Sequence, residues 1–351
     1  MSSATNKPET RIQLASKVIA ITGANRGIGL GIANSCLDNG AEQVFSIDIG
    51  EPGEDFASVS NRFPGKLHSL KADVTNEASL TAAVDQIVSS AGALHGMVVN
   101  AGRTKHKPAL DFTPEEIDQL WSVNLHGSFY SARVAARAFI KLNIKGSIVF
   151  TASMASYRPN KRVPSAPYGA SKAGVRNMTH TLAMEWAQYG IRVNSVSPGL
   201  VNTAMTYWVP QQPDWEQQLK YYGGMPRLAE VEELGGAYVY LLSEAASYTT
   251  SIDIPVNGVI GSKFPAHSAL IVSEDCADVL CLSLLSEGRR GRWKHKATRK
   301  RDFLNQGHRF ELLLKQSSYQ SVYNTNRDHD SITMPISNDQ PDQERPGELC
   351  S

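Results

Sequence analysis

The sequence predicts an α/β fold, a doubly wound parallel sheet with helices on both faces, in a single domain followed by an irregular C-terminal tail. Three observations carry this. From Lys17 onward, short β-rich apolar runs alternate with longer helical patterns, the order that builds βαβ units. The runs, among them "KVIAITG" and "GSIVFTAS", are apolar almost throughout, as strands buried on both faces are. A glycine-rich turn, "ITGANRGIG", joins the first run to the first helical pattern.

In chain order, "KVIAITG" reads as the first strand and "RGIGLGIANSCLDNG" as a helix closed by Gly40. "AEQVFSIDI" is the second strand and "LHSLKADV" the third, followed by a helix from about Asn76 to Ser90. "LHGMVVNAG" is the fourth, after which Pro114 opens one long helix running through "IDQLWSVNLHGSFYSARVAARAFIKL". "GSIVFTAS" is the fifth, a helix beginning near "PYGASK" runs to about Tyr189, "IRVNSVSPG" is the sixth and "SIDIPVNG" a seventh. Residues 1–14 read as a flexible N-terminus and 15–261 as the folded domain. Residues 262–351 read as an atypical, largely disordered extension, with eight Lys/Arg within 289–301 and a Ser-, Asn-, Asp-, Gln- and Pro-rich stretch from Ser321.

Composition narrows the function. Of 351 residues 41% are apolar, enough for a sizeable core, and the net charge of +1 gives no global case for nucleic acid or an acidic membrane. The basic run at 289–301, with Trp293, could contact phosphates, but a solvated charged tail accounts for it more simply. No apolar run approaches the ~20 residues that span a bilayer. Cys36, Cys276, Cys281 and Cys350 are scattered, without CxxC or disulfide-framework spacing, and the histidines form no zinc pattern. A cytoplasmic protein without a metal is the expectation.

The glycine turn carries the first chemistry. Between a strand and a helix, Gly23, Gly27 and Gly29 let the backbone turn tightly and approach a pyrophosphate, to which the helix N-terminus offers N–H donors. The same turn brings Asn25, Arg26 and Ile28 to the dinucleotide, as a Rossmann-type domain does. Asp48, ending the second strand, can accept from the adenosine ribose hydroxyls and would repel a 2′-phosphate. Arg26 opposes it, since a guanidinium there can pair with that phosphate or simply be solvated. The balance leans toward NAD over NADP. Asp73 lies within reach of the adenine, or it caps the next helix in competition with Thr75. Asn100, Ala101 and Gly102 end the fourth strand, where small residues let a cofactor lie close.

"PYGASK" sets Tyr168 and Lys172 one helical turn apart, a spacing that alone suits any helix start. With "TGANRGIG", "NAG", Asn124 in "VNLHG", Ser153 in "TAS", "YGASK" and "SPGLVNT" in this order, the chain resembles the short-chain dehydrogenase/reductase family over roughly residues 15–260. Stretches such as "RNMTHTLAMEWAQYGIRVNSVSPGLVNT" look most like its fungal polyol and ketose reductases. The resemblance implies an NAD(P)(H)-dependent enzyme that moves a hydride between nicotinamide and a secondary alcohol or ketone, a polyol/ketose or a secondary-metabolite intermediate. Tyr168 would give or take the oxygen's proton, and Lys172 would favour the phenolate and hold the nicotinamide ribose. Ser153 would hold the substrate oxygen, or merely cap a strand end. Asn124 would bind a relay water, or merely mark a helix kink. Val201 and Thr203 would contact the carboxamide and phosphate end of the cofactor. The aromatic stretch between Thr203 and Arg227, with Tyr207, Trp208, Trp215, Tyr221 and Tyr222, would be the substrate loop. Arg158, Lys161 and Arg162 would rim the pocket or stay solvated.

The chain departs from the family at its end. Ser251 replaces the usual glycine before the last strand, and Asn257, Gly258 and Val259 follow in place of "DGG". Since the family's C-terminal segment often builds a tetramer interface, a homo-oligomer is compatible with the sequence but its state stays open. The tail is either a genuine extension or translation past an unremoved intron or frameshift; its lack of helical periodicity favours the second. A catalytically silent dinucleotide sensor is the alternative function.

Overall fold

The computed structural model describes residues 10–159, 164–207, 209–221, 225 and 227–258. Seven parallel strands form one sheet in the order β3-β2-β1-β4-β5-β6-β7. They are β1 Val18–Thr22, β2 Gln43–Asp48, β3 Leu67–Lys71, β4 Gly96–Val99, β5 Ser147–Thr151, β6 Arg192–Pro198 and β7 Asp253–Val256. The order reverses between β1 and β4, so the crevice for a ligand opens beyond the carboxyl ends of those strands.

Alternate strand residues feed two separate cores. Ala20, Met97 and Phe150 pack with α3 (Glu77–Ala91), α5 (Gly127–Leu142) and α6 (Ala166–Trp186) on one face. Ile19, Ile21, Val98 and Val149 pack with α1 (Gly27–Asp38) and α8 (Glu232–Leu242) on the other. Phe139, Phe150, Ile19 and Ile21 are fully buried, and each such side chain is worth about 1.5–3 kcal/mol of transfer free energy. Leu14, placed in the flexible terminus by the sequence reading, is also fully buried, and its N–H donates to Asn39 O at 2.8 Å.

Three differences from the sequence reading have physical causes. The long helix from Pro114 is interrupted: α4 (Pro114–Trp121) passes through a π-helical turn, Ser122–His126, into α5. The apolar period runs on through the bulge and hides it, although Asn124, a poor helix former, marks the place. The start of α4 is as expected, with Pro114 in its first turn and Thr113 and Glu116 forming a capping box. Helix α2 (Glu54–Arg62) went unread because it buries only Phe56. So did α7 (Trp215–Tyr221) and α8, the latter a continuous helix that contains the poor helix formers Gly235 and Gly236. No helix among the described residues is long and apolar enough to cross a membrane. The tail with its basic run lies outside the described residues, as do Lys161, Arg162, Trp208, Tyr222 and Val259.

Candidate active site

The glycine turn sits at the carboxyl end of β1, fastened to β4. Thr22 Oγ1 accepts the N–H of both Asn100 and Ala101 at 3.0 Å, and Asn100 Nδ2 donates to Thr22 O and Gly23 O at 3.1 Å. Gly23 and Gly27 have φ of 68° and 57°, the left-handed region that favours glycine. A Cβ at Gly29 would stand 2.3 Å from Gly23 O and 2.7 Å from Asn100 Nδ2, so only glycine fits. Helix α1 begins here with Arg26 as N-cap, no side-chain cap and no acidic residue in its first turn. Its first N–H groups are open to an anion, and the turn fits a dinucleotide pyrophosphate. Thr203, across the crevice, brings Cγ2 to 4.0 Å from where a Gly27 Cβ would stand.

Asp48 ends β2 beside this turn. Its Oδ2 accepts Asn25 N–H at 3.1 Å and its Oδ1 accepts Gly50 N–H at 3.0 Å. The Asn25 side chain, expected to face the cofactor, is a brace instead. Its Oδ1 accepts Ser46 Oγ (2.7 Å) and Ser69 Oγ (3.1 Å), and its Nδ2 donates to Gly50 O (2.7 Å). Arg26 is exposed and Ile28 half-buried. Asp73 folds back on its own turn, accepting Thr75 N–H and Thr75 Oγ1 at 2.9 Å. The cap of α3 is neither Asp73 nor Thr75 but Asn76, whose Oδ1 accepts Ser79 N–H at 3.1 Å.

Tyr168, Ser153, Lys172 and Asn124 gather at the carboxyl ends of β4 and β5. Trp121 Nε1 donates to Pro167 O at 3.0 Å, pinning the start of α6 to α4. Ser153 caps the 3₁₀ turn Met154–Ser156, accepting Ala155 N–H at 3.1 Å. Burial pushes the Tyr168 hydroxyl above the ordinary tyrosine value, and the neighbouring Ser153 side chain opposes that shift. Lys172, buried among protein, donates to Thr151 O at 2.8 Å and holds its Nζ 5.9 Å from the Tyr168 ring centroid. Burial lowers its pKa to about 8. In the free protein, then, Ser153 rather than Lys172 counters the rise in Tyr168. Asn124 is fully buried; its Oδ1 accepts Arg103 N–H (2.9 Å), and its Nδ2 donates to Arg103 O (3.0 Å) and Ser171 Oγ (3.1 Å). Ser171 Oγ donates to Tyr168 O at 2.7 Å, which links the π turn to α6. A Cβ at Gly102 would lie 3.4 Å from Asn124 Oδ1 and 3.5 Å from Lys172 Nζ, so both side chains border that one glycine.

In the loop after β6, Val201 is buried and forms an isolated bridge with Ala229. Of the aromatics read there, Tyr207 is 65% exposed and Trp215 half-buried. Val209 and Leu219 pack this segment down instead. Arg158 is exposed. Ser251 adopts φ 63°, which explains the glycine usual at this place, and its Oγ hydrogen-bonds His180 Nδ1 at 3.0 Å. Sequence reasoning missed Thr22, Ser46, Ser69 and Thr151. The signal was there for two of them: Thr22 and Ser46 are polar yet fully buried within apolar strands.

Comparison with known proteins places the chain in a family. A family model described as Enoyl-(Acyl carrier protein) reductase matches residues 23–258. An NADP-dependent mannitol dehydrogenase from Hypocrea jecorina is 32% identical over 251 residues, 70% of this chain and 92% of that protein. A short chain dehydrogenases/reductase protein of Aspergillus versicolor is 33% identical over 256 residues, 70% of this chain and 87% of that protein. The crystal structure of a gluconate 5-dehydrogenase from Burkholderia cenocepacia, in complex with NADP and tartrate, matches with a TM-score of 0.67 at 30% identity. That match covers 72% of this chain and 98% of that one.

Proposed function

Because the chain belongs to the short-chain dehydrogenase/reductase family, we infer how its own side chains run NAD(P)-dependent interconversion of a secondary alcohol and a ketone. The observation that supports the assignment of roles is that Ser153 and Lys172 both border Tyr168: Ser153 counters the rise that burial imposes on its hydroxyl, and Lys172 Nζ lies 5.9 Å from its ring centroid. The nicotinamide, when bound, supplies or takes the hydride. Ser153 Oγ and the Tyr168 hydroxyl converge on the substrate oxygen. In reduction Tyr168 gives that oxygen its proton; its raised pKa keeps the proton in place until charge develops. In oxidation the proton returns to Tyr168, and the Lys172 ammonium and the oxidised nicotinamide both favour the phenolate that must receive it. Asn124 holds the Arg103 backbone and Ser171, fixing the crevice wall beside Lys172. Gly23, Gly27, Gly29 and the start of α1 would take the pyrophosphate, and Val201 and Thr203 would contact the carboxamide and phosphate end of the cofactor.

The substrate class is a polyol or ketose, a reading supported by the mannitol dehydrogenase and gluconate dehydrogenase likenesses. The cofactor is NAD rather than NADP. The reading is supported by Asp48, anchored to the Asn25 and Gly50 N–H groups, whose carboxylate would repel a 2′-phosphate, although NADP is the cofactor named for both relatives.

The test is nicotinamide absorbance with fructose, sorbose, 5-ketogluconate and acetoacetyl-CoA, each with NADH and NADPH. Tyr168→Phe is expected to lower kcat by about 10²–10⁴-fold with cofactor Kd little changed; retained turnover would sink the mechanism. Asp48→Ala should raise the NADP/NAD ratio of kcat/KM about tenfold or more, the equivalent of a modest charge repulsion. An unchanged ratio removes Asp48 from the argument. Cofactor binding without turnover of any substrate would favour the silent sensor.

A further inference from the structure

The turn that carries Ser153 is held from a direction that none of the sequence motifs marks. Ser153 O accepts Ser156 N–H at 3.0 Å and Ser156 Oγ at 2.7 Å, and Tyr157 N–H donates to Met154 O at 3.0 Å. Tyr157, closing this turn, reaches to the edge strand β7, where its hydroxyl donates to Asp253 Oδ2. The other carboxylate oxygen, Asp253 Oδ1, accepts Ser195 Oγ at 2.5 Å and Ser197 Oγ at 3.0 Å. Both serines are fully buried and project from the same face of β6, so β6 fixes the carboxylate. On its opposite flank the Tyr157 ring receives the Arg176 guanidinium, 4.0 Å from the centroid. Arg176 follows Lys172 by one helical turn, as Lys172 follows Tyr168, so the three share one stripe of α6.

We propose that Tyr157 and Asp253 are positioning residues for the reaction: their hydrogen bond, with Arg176 stacked on the ring, sets Ser153 Oγ against the Tyr168 hydroxyl. The inference rests on reading Ser153 and Tyr168 as the pair that holds the substrate oxygen. Two donors aimed at one oxygen must keep their spacing to a fraction of an ångström, and a misplacement of about 1 Å from a remote change can cost about 100-fold in rate. The Ser153 turn comes from β5 and Tyr168 from α6. Tyr157 is bonded to a third element, β7, and stacked on α6, so it ties the first to the second. The cavity of about 360 Å³ beside it, lined by Tyr157, Arg176, Asn177, His180 and Asp253, gives the ring room to swing away once its hydroxyl is lost.

The experiment uses the full chain and the member of the ketone panel above that wild type reduces fastest, with thermal melts and cofactor Kd measured alongside. Tyr157→Phe keeps the ring and its arginine contact and removes only the hydroxyl. It is expected to lower kcat about tenfold with cofactor Kd and melting temperature near wild type. Asp253→Ala should match it. Asp253→Asn, which keeps an acceptor oxygen for the phenol, should recover most of the loss; a fold defect in Asp253→Ala leaves the Tyr157→Phe measurement standing. The deciding readout is a double-mutant cycle. In a Ser153→Ala background, Tyr157→Phe should cost nothing further in kcat. Unchanged kcat in Tyr157→Phe, or a loss that adds in full to that of Ser153→Ala, overturns the positioning role alone. Undiminished kcat in Ser153→Ala, or no turnover by wild type, overturns the catalytic reading and this inference with it.

Discussion

Lys172 gives the sharpest quantitative test, because the same burial that suits it to the site makes it costly to the fold. Its pKa falls from 10.5 to about 8, with desolvation as the cause, and at 1.36 kcal/mol per unit this corresponds to about 3 kcal/mol. The sign follows from proton counting. Below pH 8 the lysine is protonated in both folded and unfolded states, and the folded state carries the full cost of a buried ammonium. Between about pH 8 and 10.5 the unfolded chain holds a proton that the folded protein has released, so stability rises with pH. Above that window the cost is gone. Lys172→Met removes the charge and also the bond to Thr151 O, a loss of about 1 kcal/mol. At pH 7 the variant should therefore be more stable than wild type by about 2 kcal/mol, and the gap should close as pH climbs through the window. The assay is urea unfolding of both proteins without cofactor, followed by tryptophan fluorescence from pH 6 to pH 10. Groups common to both cancel in the difference. A stability difference that stays flat from pH 7 to pH 10 would refute the reasoning, whatever its size. Since turnover should be lost in the same variant, a stability gain would show the lysine retained for chemistry against the interest of the fold.

Two further outcomes separate backbone conformation from space in the glycine turn and scaffold from site. Gly29→Ala, whose Cβ would stand 2.3 Å from Gly23 O, should abolish detectable cofactor binding. Gly27→Ala meets no protein atom nearer than Thr203 Cγ2 at 4.0 Å, so without cofactor it should cost the fold only the about 1–2 kcal/mol of a left-handed alanine, seen as a lower melting temperature. Thr113→Ala deletes the capping box of α4 and should cost about 1 kcal/mol in urea unfolding with kcat unchanged.

What the sequence made legible here is what the backbone demands. Gly23 and Gly27 occupy a conformation, and Gly29 a gap, that other residues would strain or overfill, so residue type reports geometry directly. The strands were readable for a similar reason, since burial on both faces permits little but apolar side chains. Hydrogen-bond partners are another matter, because an Asn, Asp or Ser in a turn has several acceptable neighbours and type alone does not choose among them. Asn25 stands in the cofactor turn, yet its side chain braces Ser46 and Ser69 behind it. Asp73 turns to Thr75, while Asn76, unremarked, caps α3. Partners distant in sequence are harder still. Tyr157 and Asp253 lie 96 positions apart, in stretches read as a pocket rim and as a plain edge strand, and neither has a reason to be singled out until β7 is laid beside β6. Ser251 shows the intermediate case. Its departure from glycine was visible, but only the fold shows that it keeps glycine's conformation and bonds His180 through the hydroxyl that glycine lacks. The chain's end is therefore altered in side chain at Ser251 while that residue keeps a backbone that favours glycine, and β7 pairs with β6 so that Asp253 stands opposite Ser195.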